Sequence, residues 1–258
     1  MGSAGSMWQA AAIACAAPAR KARWVMDRSP LAGRIVAGLG AMVEWFALAL
    51  QLGNAIRGAT ERGLTTVDAL VVFFGFFTVL TSLLTAVILS AAVLRGESEG
   101  FLALPWVRAA DVVYLAVMAL IYNLLLRDLW APTGARLFAE ILMHDVMPAL
   151  YIFQWVFFVP KGTLRWSDPV RFLAYPLAYF IYVLARGALI GRYPYPFLDL
   201  ATLGYERLAV NALVLLCVFL VLGLVCVAAD HLLARGGIGA ARAPMPAFPD
   251  AGADRPPG

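Results

Sequence analysis

Charge is scarce in this chain: Asp, Glu, Lys and Arg make up only 14% of its 258 residues. A typical soluble domain carries about 25%, so a surface bathed mainly in water is excluded. Histidine is scarcer still, with only His144 and His231, too few for a His-rich metal centre. The three cysteines, Cys15, Cys217 and Cys226, form no C-x-x-C. They read as small buried hydrophobes, with neither a disulfide framework nor a metal site implied. Lysine occurs twice against eighteen arginines, a bias that, with abundant alanine, suits a bacterial chain of high GC content. No basic stripe with interleaved aromatics points to nucleic acid. No G-x-S-x-G elbow offers a serine nucleophile, and the first and last three apolar runs show no repeat of the kind carriers carry.

What remains is apolar. Hydrophobic residues make up 62% and the mean hydropathy is +0.81. Six long runs lie at about 35–56, 68–94, 106–127, 137–159, 170–190 and 208–233, each near the ~20 residues that cross a bilayer. In lipid every backbone polar group must be satisfied within the segment, so these runs are predicted to be helices. The fold class is therefore all-α, a polytopic six-transmembrane-helix bundle over 35–233. Residues 1–34 hold a short apolar stretch, Trp8 to Ala17, ahead of Arg20, Lys21, Arg23 and Arg28. A secretory signal has the reverse order, and the segment reads as a cytoplasmic or interfacial leader. Residues 234–258, rich in Gly, Pro, Ala and Asp, read as a disordered cytoplasmic tail.

Orientation follows from the basic residues. With the N-terminus inside, thirteen Lys and Arg fall on that side (twelve without distant Arg255). Arg57, Arg62, Arg127, Arg136, Arg186, Arg192 and Arg207 make seven on the other. The excess predicts an inner-membrane protein with both termini cytoplasmic.

Polar groups inside the runs each demand a reason, because lipid rejects them. In the second run Gly75, Thr78, Ser82 and Thr85 recur at helical spacing, a stripe of small polar side chains on one face that reads first as close helix packing. In the fourth, Pro148 cannot donate to the carbonyl of His144, so a bend is expected there. Glu140 lies one turn before His144 on the same face, where it can orient the imidazole, while Asp145 points about 100° away. A buried histidine bonded to a neighbouring helix is the plainer reading of His144. Thr78 and His144 share a similar expected depth, roughly 10–15 Å below the non-cytoplasmic interface at 1.5 Å per residue. Asn123, Arg186 and Asn211 gather toward the same leaflet, and Glu44 lies near the middle of the first run. Tyr175, Tyr179, Tyr182 and Arg186 share one face of the fifth run, a stripe long enough to line a polar cavity. Asp230 and His231 read as ordinary interfacial residues. The loop Arg192-Tyr-Pro-Tyr-Pro-Phe-Leu-Asp199 suits either a cover over an outward cavity or a rigid interfacial turn.

Phe-Phe-Thr-Val-Leu-Thr-Ser at 76–82, His144 with Pro148, and Tyr-Pro-Tyr-Pro-Phe-Leu-Asp at 193–199 come in an order that resembles a known family. The layout over 35–233 is similar to the androgen-induced-gene and androgen-dependent TFPI-regulating membrane proteins, especially their bacterial relatives. This chain differs from that branch in carrying Leu80 and Ser82 where Gln and Asn are usual. The animal members are threonine hydrolases of fatty-acid esters of hydroxy fatty acids. The resemblance implies Thr78 as nucleophile and His144 as catalytic histidine, acting without cofactor or metal on a lipid ester drawn from membrane lipids. Such chemistry needs a base for the weak hydroxyl nucleophile and donors for the developing oxyanion. Glu140, Asn123, Arg186 and Asn211 are the supporting or oxyanion candidates, and Ser82, Tyr179, Tyr182 and Tyr195 the expected cavity residues. The alternative is a non-catalytic protein that binds or carries a lipid or small molecule in the same cavity.

Overall fold

A computed structural model of the chain describes residues 30–95 and 100–238. Every regular element among them is helical. The leader's apolar stretch and the tail beyond residue 238 lie outside the described residues. Seven helices carry the fold: α1 (Pro30–Thr60), α2 (Thr66–Phe73), α3 (Phe77–Arg95), α4 (Pro105–Trp130), α5 (Gly134–Phe158), α6 (Asp168–Ile190) and α7 (Leu200–Arg235). All but the eight-residue α2 are long and apolar enough to cross a bilayer. The architecture is an all-α six-helix membrane bundle.

Its burial pattern is that of a protein dissolved in lipid. Large apolar side chains point outward along the spans, with Leu124 70% and Leu189 86% exposed. Ionisable groups turn inward, with Glu44 and Asp111 fully buried. Hydrocarbon does not penalise an exposed leucine, whereas an exposed carboxylate is costly there. Thr85 on α3 donates to the Asp111 carboxylate on α4 at 3.0 and 3.2 Å, tying two spans together in the core.

Two departures from regular helix shape the surroundings of Thr78 and His144. The second apolar run, expected as one helix over 68–94, divides at Gly75 and Phe76 into α2 and α3. Helices α4 and α5 each contain one widened turn: the N–H of Arg127 bonds the carbonyl of Tyr122, and that of Met147 the carbonyl of Leu142. Such i→i−5 turns insert an extra residue and re-aim side chains, and they recur at functional sites. In α5 the widened turn directly precedes Pro148, which has no N–H for the carbonyl of His144. A smaller break interrupts the first turn of α7 at Gly204, whose φ of 71° suits glycine.

Candidate active site

The break between α2 and α3 is held open by side chains from α6. Breaking a helix strands backbone carbonyls, and in a membrane something other than water must satisfy them. Tyr179 donates to the carbonyl of Gly75 at 2.9 Å, and Tyr182 to that of Phe74 at 3.0 Å. Arg186 donates twice to Val71, at 2.9 and 3.2 Å, and once to Arg192 at 3.2 Å. A Cβ at position 75 would meet Arg186 Cζ at 2.7 Å, so any side chain there has to push the guanidinium away from the carbonyls it holds. The polar stripe on α6 thus serves mainly as a clamp on stranded carbonyls. From the other side, Tyr195 in the α6–α7 loop accepts the N–H of Phe77 at 3.1 Å.

The consequence for Thr78 is position. It stands in the first turn of α3, at the positive end of the helix dipole, instead of partway down an unbroken span. Its Oγ1 lies 3.3 Å from Nε2 of His144.

His144 sits in the widened turn of α5. Its Nδ1 lies 3.1 Å from Oε2 of Glu140 and 3.0 Å from the Glu140 carbonyl. Two acceptors at Nδ1 assign the proton to that nitrogen, which leaves Nε2 as an acceptor facing the threonine hydroxyl. Glu140 is itself held by Gln51 of α1, whose Nε2 donates to Oε1 at 3.1 Å. Histidine and glutamate are both 3% exposed. The imidazole is further fixed by Tyr122, whose ring stacks on it at 3.8 Å with 14° between planes. Tyr122 comes from the widened turn of α4, so the two irregular turns supply the two stacked rings.

A cavity of about 80 Å³ opens beside Thr78 and His144. Phe77, Val117, Ile121, Leu215, Leu216 and Phe219 make its apolar walls, and Tyr179 and Tyr195 also line it. The arrangement is a hydroxyl, a base aimed at it, a carboxylate orienting the base, and an apolar chamber beside them. These are the parts of covalent acyl transfer.

Other expected site residues lie elsewhere. Asn123 bonds Asp145 at 2.9 Å and the carbonyl of Ala119 at 3.0 Å, and Arg127 pairs with the same Asp145. Asn211 holds the loop by donating to Phe197 O at 2.9 Å. Arg186 belongs to the clamp. Ser82 is fully buried one turn inward from Thr78 and does not line the cavity. Tyr182 faces a shallow groove with Val67, Leu70 and Phe74. Gln51 and Tyr122 escaped the sequence reading: a glutamine near a helix end and a tyrosine in an apolar run carry no signal until their partners are known. Among the described residues no cluster of three His, Cys, Asp or Glu could hold a metal ion.

Comparison with protein families, with curated proteins and with solved structures finds no match to this chain.

Proposed function

We propose that the chain is an intramembrane threonine hydrolase of lipid esters. One observation carries the reading: Thr78 Oγ1 lies 3.3 Å from Nε2 of His144, whose Nδ1 lies 3.1 Å from the carboxylate of buried Glu140. The triad logic of nucleophile, base and orienting carboxylate follows, with threonine in the nucleophile's place.

Thr78 Oγ attacks the ester carbonyl carbon as its proton passes to His144 Nε2. The tetrahedral intermediate collapses by breaking the bond to the alcohol oxygen, and His144 returns the proton to that leaving alkoxide. Water then attacks the acyl-threonine, giving a proton to His144, which hands it to Thr78 Oγ as the fatty acid departs. Glu140 keeps the imidazole in the working tautomer and stabilises the imidazolium. The apolar walls suit acyl chains, and the likeness of the 76–82, 144–148 and 193–199 motifs to the androgen-induced-gene family favours esters of hydroxy fatty acids. On the balance of basic residues, both termini face the cytoplasm of an inner membrane and the site lies toward the outer leaflet.

The test is turnover of long-chain branched fatty-acid esters by purified protein. Thr78→Ala and His144→Ala are expected to lower kcat/KM by at least about 10³-fold. A fluorophosphonate probe is expected to label Thr78 only when His144 is present. Undiminished turnover in either variant overturns the reading, and tight ester binding without turnover or labelling by wild type favours a lipid-binding protein instead.

A further inference from the structure

Acyl transfer at Thr78 needs a donor for the oxygen that becomes negative, and the polar side chains Asn123, Arg186 and Asn211 are engaged elsewhere. We propose that the hydroxyl of Tyr195 is that donor, a catalytic residue supplied by the α6–α7 loop. The inference rests on the hydrolase reading.

Three observations carry it. Tyr195 lines the same cavity as Thr78 and His144, and its hydroxyl lies against Phe77, the residue next to Thr78 in the chain. Its oxygen accepts the N–H of Phe77 at 3.1 Å. With one lone pair so occupied, the hydroxyl is held in place while its own proton stays available to an acceptor in the cavity. The ring cannot swing away: it stacks on Phe197 at 5.1 Å and on Trp130 at 6.3 Å, and Phe76 meets it edge-on at 5.8 Å. The side chain is 5% exposed. A donor fixed before the reaction needs no reorganisation when charge develops, which is what makes such groups effective.

Burial pushes the Tyr195 phenol up to about 12, so it stays protonated and able to donate at neutral pH. In the attack step the Thr78 Oγ–carbon bond forms and the carbonyl π pair moves onto oxygen. Tyr195 stabilises that oxygen by a hydrogen bond without giving up its proton. The positive end of α3 lies beside the same point and adds to the stabilisation.

Tyr195→Phe keeps the ring and removes the donor. Its kcat is expected to fall about 10²- to 10³-fold, the usual loss for one oxyanion donor, with KM within about twofold of wild type. Fluorophosphonate labelling of Thr78 is expected to slow in proportion. A tyrosine that only capped α3 would change melting temperature and leave kcat in place. A kcat within about threefold of wild type, alongside inactive Thr78→Ala, overturns the role of Tyr195 while the hydrolase reading stands. Full turnover by Thr78→Ala overturns both. Should Tyr195→Phe fold poorly, a polyfluorinated tyrosine at 195 keeps the hydroxyl and makes it more acidic. It is expected to bring into the kcat profile an alkaline limb that wild type lacks, and a flat profile overturns the proposal.

Discussion

At the scale of single residues, the site turns on how one imidazole is held. Nδ1 of His144 has two acceptors, the carboxylate and the backbone carbonyl of Glu140. A side-chain change can remove only one. Glu140→Gln is therefore expected to lower kcat by about 10- to 100-fold, less than the ~10⁴-fold seen when an orienting carboxylate is the sole support of the tautomer. Steady-state kinetics on the same ester check this, and a loss as large as that of His144→Ala would show the carbonyl contact to be idle. The i,i+4 spacing of Glu140 and His144 was legible in the sequence, because a helix fixes which residues share a face. Gln51 lies 89 positions from its partner Glu140, and no local pattern announces such a contact.

At the scale of elements, the decisive event is the break at Gly75 and Phe76. A continuous α2–α3 helix would bury Thr78 in the middle of a hydrogen-bonded ladder. The break instead makes Thr78 part of a helix start and strands the carbonyls of Val71, Phe74 and Gly75 for α6 to satisfy. Gly75→Ala is expected to destabilise the bundle and depress activity, because its Cβ would meet the Arg186 guanidinium. Arg186→Met should lose about 2–3 kcal/mol, since Val71 and Arg192 are left without charged donors. Denaturation in detergent micelles measures both. Wild-type stability in Arg186→Met would mean the clamp is dispensable. Hydropathy alone could not reveal the break: Gly75 is unremarkable in a membrane helix, and the residues that hold the chain open lie about a hundred positions away.

At the scale of the whole molecule, the six spans put the α1–α2, α4–α5 and α6–α7 connections at one end of the bundle, where the cavity lies. Contacts such as Trp130 stacked on Tyr195 join those connections. The basic residues favour the opposite end as cytoplasmic. Single cysteines placed at 61–65 are expected to react with a membrane-impermeant thiol reagent on intact cells. Cysteines at 161–166 should react only after permeabilisation. The reverse pattern would invert the topology and put the site toward the cytoplasmic leaflet.

The sequence by itself determined the number of spans, their helical nature and the residues with chemistry to offer. It could do so because bilayer thickness and the need to satisfy every backbone group within lipid act locally and leave a direct imprint on hydropathy. It also marked Thr78, His144 and Glu140. Only the tertiary structure decided that they meet, that the α6 stripe clamps a broken helix, and that Tyr195 rather than Asn123, Arg186 or Asn211 lines the cavity with Thr78. Those outcomes depend on distances between segments far apart in the chain, set by packing across α1, α3, α5, α6 and the α6–α7 loop, and no periodicity within one segment encodes them.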